Sequence, residues 1–249
     1  MNKLLHEKKN YPEISENWKV FAMLAKGYLK VGQAEKSREM LREIEKRIDR
    51  YPSAYRTLVS MYADLGDIEE VYRVWNLMKN EINIRNTDYY NMISSLVRVD
   101  DFDGAEEILK EWESSNRIYD FRIPRLLIKR YVEKGFFGKA EEVVKKIIVS
   151  GNKPPASIWG FMATGYSKSG RMDKALDAMT EAILSDQDCW TPNRDALKAC
   201  MGYLKKKGED ELVEGLCNLL SERRILSRQG IEGIRYEVEV LLIKPELSQ

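Results

Sequence analysis

The stretch "SGNKPPASIWGFMATGYSKSGRMDKALDAM", from Ser150 to Met179, contains the pattern that decides the fold. In it, a Gly-Asn-Lys-Pro-Pro segment precedes a Trp, a Gly-Tyr pair and a Gly-Arg-Met triplet. This glycine-rich pattern is compatible with a nucleotide-binding loop or with a structural unit that the chain uses several times. Copies elsewhere in the sequence distinguish the two, because a repeat architecture shows self-similarity at a fixed period.

Five further segments carry the same pattern. Each has an aromatic residue or Leu, a turn residue four positions later, and a small residue or Val five positions after the turn. The turn residues recur at spacings of 34, 34, 35, 35 and 38 residues, which indicates a repeat and not a single loop. These turn residues are Gly32, Gly66, Asp100, Gly135, Gly170 and Gly208.

Each copy is predicted to fold as two helices joined at the turn residue. Apolar residues recur at helical spacing before the turn, as at Phe21, Leu24, Ala25 and Tyr28, and again after it. Glycine at the junction suits a left-handed helix C-cap. A single hairpin leaves its apolar face uncovered, so the copies must stack. The sequence therefore predicts an all-α fold, a right-handed α-solenoid of about six stacked helix-turn-helix repeats of 34–38 residues.

The repeat divides the chain into three segments. Residues 1–17 are predicted to be the tail of a preceding or capping repeat, and residues 18–228 the solenoid. Its units are predicted to start near residues 18, 52, 86, 121, 156 and 194. The third unit has two possible registers, with either Tyr90 or Asn91 at its fifth position. Residues 229–249 are either a C-terminal cap or a partial repeat.

The opening stretch resembles the pentatricopeptide repeat. Gly151 and Pro154 match the Gly-x-x-Pro end of a unit, Trp159 the aromatic of the next helix, and Gly170 the Gly-Arg-apolar turn. The resemblance covers roughly residues 18–226 and is to pure, or P-class, plant organellar members without a C-terminal editing extension. It implies a mitochondrial protein, with the chloroplast as runner-up, whose leader is absent from this chain. It also implies binding of single-stranded or ribosomal RNA along the first helices of the units.

The charge distribution fits a nucleic-acid groove. The whole chain has a net charge of +1. The first fourteen residues of the six units contain 16 basic and 4 acidic residues, a net of +12, which leaves −11 for the rest of the chain. A basic groove on an otherwise acidic protein is what phosphate tracking needs. Because not every side chain of a helix faces the groove, the value of +12 is an upper limit.

Base reading is predicted to be weak. In the family, the fifth and last residues of each unit are usually small polar readers of the base. Most pairs here do not fit that pattern: Ala22 with Tyr51, Arg56 with Arg85, Arg125 with Pro155, and Gly160 with Asn193. Asn91 with Asp120, in the alternative register, resembles a readable pair that family analogy assigns to uracil. The sequence thus favours binding of RNA backbone and shape, as in a permanent ribonucleoprotein such as an organellar ribosome.

Twelve residues are the candidate RNA contacts, chosen for basic charge on the first helices or for their place at a reading position. They are Lys26, Lys30, Arg56, Arg85, Asn91, Arg98, Asp120, Arg125, Lys129, Lys168, Asn193 and Lys198. Ribosomal or other ribonucleoprotein proteins are further candidate partners. The alternative function is a protein–protein interaction scaffold with the same solenoid fold and no direct RNA contact.

The sequence contains few of the residues and motifs that catalysis requires. Its one histidine, His6, lies near the N-terminus, so neither a His-based triad nor a His metal cluster can form within it. The segment "GIEGIRYE" from Gly230 lacks the Lys-Ser/Thr ending of a phosphate loop. We expect no catalytic residues, cofactor, metal, small-molecule substrate or membrane span, and a reducing environment for Cys189, Cys200 and Cys217.

Overall fold

A computed structural model describes residues 17–48, 51–115, 118–185 and 190–243. Thirteen α-helices and no strand occur in these ranges. The helices are α1 (Trp18–Lys30), α2 (Ala34–Glu45), α3 (Pro52–Asp64), α4 (Ile68–Glu81), α5 (Asn86–Arg98), α6 (Phe102–Glu113), α7 (Arg122–Lys134), α8 (Phe137–Val149), α9 (Ala156–Lys168), α10 (Met172–Leu184), α11 (Arg194–Lys207), α12 (Asp210–Glu222) and α13 (Arg228–Ile243).

Six tight turns pair α1 to α12 into six hairpins. The turn residue of every hairpin has a positive φ angle, from +60° at Asp100 to +79° at Gly135. At the first turn, the backbone N–H of Gly32 donates to the carbonyl of Leu29 at 3.0 Å. Glycine reaches this left-handed conformation without steric cost, which explains its recurrence at the junction. The predicted left-handed junctions are therefore found at all six positions, including the non-glycine residue Asp100.

Local capping chemistry fixes several first-helix starts. The side chain of Asn17 accepts a hydrogen bond from the backbone of Lys19 at 3.0 Å, where α1 begins. Pro52 occupies the first turn of α3, where its missing N–H leaves no intrahelical bond unmade. Asn193 caps α11 by accepting from the N–H of Ala196 at 3.0 Å. Pro52 and Asn193 thus lie between consecutive hairpins, and Asn17 precedes the first described hairpin.

The core consists of the repeated apolar positions. Tyr28, Tyr62, Tyr131 and Tyr166, which share one repeat position, are all buried. Trp75 and Trp112 are buried as well, in agreement with their helix-packing spacing. Trp159, which has the same kind of spacing, is only half-buried because it borders an open groove between α8 and α10.

The chain divides into two compact parts, Met1–Leu127 and Ile128–Gln249, with the boundary inside α7. In the first part, α3 contacts both α1 and α5, so successive first helices stack on one another. In the second part, α11 contacts both α9 and α13. The all-α solenoid class expected from the sequence is confirmed. No helix of the described residues is long and apolar enough to cross a membrane.

The ends of the chain and one cysteine lie partly outside this description. The predicted N-terminal segment 1–17 is described only at Asn17, and the C-terminal segment contributes α13 as far as Ile243. Cys200 and Cys217 are buried free thiols, and burial raises the pKa of Cys200 to about 12. Cys189 lies outside the described residues.

Candidate nucleic-acid interface

The first groove, here called the α1–α3 groove, runs along α1 and α3 and reaches α5. Its lining includes Lys26, Arg56, Asp64 and Asn91. Lys26 is exposed and forms no ion pair with any described residue. The structure therefore brings three of the predicted contacts, Lys26, Arg56 and Asn91, to one open groove on the first helices. Lys30, at the C-terminal end of α1, is exposed.

Arg56 is held in the α1–α3 groove by a buried carboxylate. Its Nη1 donates to Oδ1 of Asp88 at 2.6 Å. The Asp88 side chain is 0% exposed and that of Arg56 is 32% exposed. The other oxygen of Asp88 accepts from the backbone N–H of Arg85 at 2.8 Å, where α5 begins. The acid thus orients the guanidinium while leaving part of it open to the groove.

Ion pairs with neighbouring acids reduce the number of basic side chains near this groove that are available to bind phosphate. Arg98 forms an ion pair with Asp64 at 2.9 Å and donates to the carbonyl of Ser60 at 2.9 Å. Arg85, the last residue of the second unit, is exposed. Its side chain forms no ion pair with the described residues. Of the cations that line this groove, Lys26 is therefore the one that a phosphate could reach without displacing an acid of the described residues.

The burial pattern of the third unit favours the register with Tyr90 at the fifth position. Tyr89 and Met92 are buried on either side of Tyr90 and Asn91, which matches the burial of Tyr55 and Leu58 around Arg56. This alignment sets Tyr90 level with Arg56 and moves Asn91 one position further on.

The partner of Asn91 in the alternative register, Asp120, is also engaged. Its carboxylate accepts from the guanidinium of Arg122 at 2.7 Å and from the backbone N–H of Arg122 at 3.1 Å. The Arg122 hydrogen bonds hold the pKa of Asp120 below its usual value. Arg125, three residues further along α7, is half-buried and forms no ion pair with the described residues.

A second groove, the α7–α9 groove, has the C-terminal half of α7 and α9 as its walls. Its lining includes Lys129, Glu133, Phe161, Thr164 and Lys168. Lys129 lies over the ring of Phe161, with Nζ 5.8 Å from the ring centroid, and only 3.8 Å from the carboxylate of Glu133. Lys168 is exposed and has no ion-pair partner in the described residues. Cations next to an aromatic ring are the combination that single-stranded RNA sites use.

A third groove, the α11–α13 groove, has a different electrostatic character. Lys198 lines it together with Gly202, Val238 and Leu241. Nζ of Lys198 lies 3.1 Å from the carboxylate of Asp195 and 3.1 Å from that of Glu237. These two acids raise the pKa of Lys198. Its charge is therefore already compensated by the protein.

Arg194 also forms an ion pair with Glu237. Its Nη2 lies 2.5 Å from Glu237, and hydrogen bonds from Arg194 and Lys198 lower the pKa of Glu237. Asn193, predicted as a reader at the end of the fifth unit, instead uses its side-chain oxygen to cap α11. The predicted contacts Asn193 and Lys198 are thus both occupied by intramolecular partners.

Ion pairing lowers the usable charge of the first helices below the count made from the sequence. At least nine of the sixteen basic residues lie within 4 Å of a carboxylate. These nine are Arg56, Arg98, Arg122, Lys129, Arg130, Arg194, Lys198, Lys205 and Lys207. The cations without such a partner in the described ranges include Lys26, Lys30, Arg125, Lys168 and Lys206, the last of which lines the α11–α13 groove.

Three residues that contact the predicted RNA-binding positions were not identified from the sequence. Asp88 and Glu237 act as counter-ions from helices that follow in the chain, and no local motif marks such a pairing. Trp190 packs against Gly160, where a Cβ atom would lie only 2.5 Å from the indole Nε1. The one available signal was Gly160 itself, because glycine at a reading position leaves a space that another group can fill.

No group of three or more His, Cys, Asp or Glu side chains suited to a metal ion occurs in the part of the chain that the structure describes. The grooves instead offer ammonium and guanidinium groups and aromatic faces. This donor set binds phosphate and nucleobases. The class of molecule defined by fold and grooves is a helical-repeat binding protein.

Comparison with known proteins agrees with this class. The family model of the pentatricopeptide repeat (PPR repeat) matches residues 53–81, 88–117 and 157–183. A mitochondrial pentatricopeptide repeat-containing protein of Arabidopsis thaliana is 38% identical over 213 residues, which are 85% of this chain and 44% of that protein. The large ribosomal subunit protein mL101 (rPPR4) of the same organism is 33% identical over 236 residues, 93% of this chain and 47% of that protein. The chain belongs to the pentatricopeptide repeat family.

The chain spans less than half the length of these two relatives. Among solved structures, the maize pentatricopeptide repeat protein PPR10 has a similar fold, with a TM-score of 0.62 at 15% identity, covering 96% of this chain and 32% of PPR10. PPR10 in complex with an 18-nt psaJ RNA element gives a TM-score of 0.57 at 15% identity, covering 89% of this chain and 32% of that one. At this identity the similarity concerns the fold.

Proposed function

We propose that this chain binds single-stranded RNA through the sugar–phosphate backbone along its first helices. The observation that carries the proposal is a pair of exposed cations without a counter-ion among the described residues, Lys26 in the α1–α3 groove and Lys168 in the α7–α9 groove. A phosphate reaches such a cation without first displacing a carboxylate, so its contact adds directly to affinity. Phe161, beside Lys129 and Lys168, supplies a ring on which a base can stack.

Binding is expected to depend little on base sequence. The fifth positions of the six units carry no small polar side chain: they are Ala22, Arg56, Tyr90, Arg125, Gly160 and Lys198. Arg56 and Lys198 are in addition held by Asp88 and Glu237. With few hydrogen-bonding groups left to discriminate base edges, backbone charge and stacking must supply most of the affinity.

The relatives suggest a setting for this activity. One relative has the printed name of a mitochondrial protein and another that of a large ribosomal subunit protein, and PPR10 has been solved with bound RNA. We therefore propose a mitochondrial ribonucleoprotein, such as the mitochondrial ribosome or an RNA-processing complex, with the chloroplast as the alternative location. Ribosomal or other ribonucleoprotein proteins are the proposed protein partners, and we propose a binding role without catalysis.

The test is the salt dependence of RNA affinity. A fluorescently labelled single-stranded RNA is titrated with the chain at several salt concentrations, and the logarithm of affinity is plotted against the logarithm of salt. Backbone binding predicts a linear fall with a slope of about −0.7 per phosphate neutralised. A scrambled RNA of the same composition should bind within about tenfold of the original. Larger discrimination would contradict backbone binding, and lack of binding at low salt would contradict RNA binding altogether.

The second candidate, a protein-binding scaffold, is favoured by one groove. Between the second helices α8 and α10, Trp159 and Met162 form an apolar floor. Asp177 and Glu181 line one wall and form no ion pair with the described residues. Lys145 and Lys174 also line this groove, so an apolar groove with charges of both signs fits an amphipathic segment of a partner protein. Loss of partner binding on replacing Trp159 by Ala, without any effect on RNA, would assign this groove to a protein.

A further inference from the structure

The second helices α8 and α10 leave an open groove between them, here called the α8–α10 groove, with a volume of about 500 Å³. Its apolar lining includes Val144, Ile148, Trp159 and Ala178. Ile148 is 50% exposed, and Trp159 is half-buried. An apolar surface that is open to water in this way marks a binding site more often than an isolated exposed residue does.

The equivalent groove between α4 and α6, here called the α4–α6 groove, is closed by its own side chains. Tyr89, like Trp159, is the fourth residue of its unit. Its ring packs edge-on against that of Trp75, with ring centroids 5.4 Å apart, and both rings are buried. The hydroxyl of Tyr89 donates to Glu111 at 3.0 Å, and Glu111 also pairs with Lys79 at 3.2 Å. A ring and an ion pair thus cover the fourth residue of that unit.

Three repeat positions carry different residues in the two grooves. The corresponding pairs are Trp75 and Val144, Lys79 and Ile148, and Ile108 and Ala178. Two large apolar side chains are replaced by smaller ones, which leaves the α8–α10 groove without those packing atoms. The cation is replaced by an aliphatic residue, so Glu181, at the repeat position of Glu111, has no ion-pair partner in the described residues. The α8–α10 groove therefore lacks a large apolar group and a cation.

The charges along the α8–α10 groove differ between its two walls. Asp177 and Glu181 line the α10 wall, are exposed and form no ion pair with a described residue. Lys145 lines the α8 wall and is exposed and unpaired in the same part of the chain. Lys174, by contrast, is bound to Glu141 at 2.7 Å. A helix in this groove is therefore favoured when its basic side faces α10 and its acidic side faces α8.

We infer that the α8–α10 groove binds an amphipathic helix of a partner protein that carries a large apolar side chain and, four residues further on, a Lys or Arg. The apolar side chain covers Trp159 and Ile148, and the cation pairs with Glu181. Trp75 and Lys79 are themselves four residues apart on α4, a spacing that places both on one face of a helix. The inference rests on the second candidate function, a protein-binding scaffold, and specifies the partner; it does not depend on RNA binding.

The probe is a phage-displayed library of helical peptides, selected against the full chain. Ile148→Lys/Ala178→Ile, here called the closing variant, transfers two residues of the α4–α6 groove into the α8–α10 groove, and Trp159→Ala removes the apolar floor. Glu181→Lys reverses a charge of the α10 wall. As the matched control, Glu142→Lys makes the same change at an exposed acid of α8 that lies outside the groove lining and has no ion pair in the described residues. Circular dichroism and urea unfolding check that each variant is folded.

The peptides selected on the wild-type chain should contain a large apolar residue followed four positions later by Lys or Arg. They should bind the closing variant and Trp159→Ala at least about tenfold more weakly, because the apolar pocket is filled in one and lost in the other. Glu181→Lys should weaken the same peptides by about tenfold, whereas Glu142→Lys should change their affinity by less than about twofold. A new selection on Glu181→Lys should return Asp or Glu in place of the cation.

The other outcomes overturn the inference in different ways. If no peptide is selected, or if the selected peptides bind the closing variant and Trp159→Ala as well as the wild type, the groove is not a protein site and the second candidate function loses its support. Peptides that need Trp159 but lack the cation, or that ignore Glu181→Lys, overturn the inferred partner and leave the scaffold function standing. RNA binding is measured separately by the salt titration, so its failure is not confused with either result.

Discussion

The α1–α3 groove and the α11–α13 groove differ in the burial of the acids that pair with their basic residues. Each lies along first helices and has a basic residue at a fifth position, Arg56 in one and Lys198 in the other. Asp88, the acid that holds Arg56, is completely buried, whereas Glu237, which holds Lys198, is 39% exposed. A buried acid orients its cation toward the groove, and an exposed one competes with the ligand. We therefore expect the position of the counter-ion to affect how readily each basic residue meets a phosphate.

The strongest test of this comparison is removal of the buried acid. Asp88→Ala eliminates the 2.6 Å bond to Arg56 and the 2.8 Å bond to the N–H of Arg85 that begins α5. We expect a loss of about 2–3 kcal/mol in the free energy of unfolding, because charged hydrogen bonds are lost inside the protein. Urea unfolding followed by circular dichroism measures the change.

Asp64 provides the matched control for Asp88. It lines the same groove and pairs with Arg98 at 2.9 Å, but it is 39% exposed. Asp64→Ala should cost less than about 1 kcal/mol, as exposed ion pairs usually do. A similar loss for both variants would mean that the burial of Asp88 does not set its contribution.

The second test compares one free and one compensated lysine. Lys26→Ala should weaken binding of a single-stranded RNA by about three- to tenfold and reduce the salt slope by about 0.7, because one phosphate contact is lost. Lys198→Ala should leave affinity and slope unchanged, since its charge is already matched by Asp195 and Glu237. Parallel titrations at several salt concentrations measure both values, and equal effects of the two substitutions would remove the distinction between the grooves.

The fold could be predicted from the sequence because each unit repeats the same short-range sequence features. The turn residue, the apolar spacing and the proline or polar residue between hairpins are all short-range signals. Even Asp100, which breaks the glycine rule, adopts the expected left-handed conformation with a φ angle of +60°. Six copies of a weak pattern support one another, so uncertainty in one unit does not change the class.

The sequence could not show in the same way whether a candidate contact residue is paired with an acid. Arg56 and Asp88 are 32 positions apart, and Lys198 and Glu237 are 39 apart, so no local pattern links them. A count of basic residues on the first helices treats Lys26 and Lys198 alike, although Lys198 is paired and Lys26 has no ion-pair partner in the part of the chain that the structure describes. Which cation meets which acid is set by stacking between units and requires coordinates.

The smallest expected effect concerns the pH dependence of the α11–α13 contact. Hydrogen bonds from Arg194 and Lys198 lower the pKa of Glu237 in the folded chain below its ordinary value of 4.5. A depressed carboxylate pKa adds stability above the unfolded pKa, and that stability is lost as the pH falls through the folded pKa. The wild-type chain should therefore exceed Glu237→Gln in urea midpoint at about pH 6, and this gap should close as the pH falls below about 4.5. Because other carboxylates titrate in both proteins, only the gap reports on Glu237.

Glu232→Gln, which leaves the Glu237 contacts in place, should follow the wild type through the same range. A gap that stays constant into acid would show that Glu237 acts on stability through something other than its charge, and the electrostatic difference between the two grooves would then lose its basis.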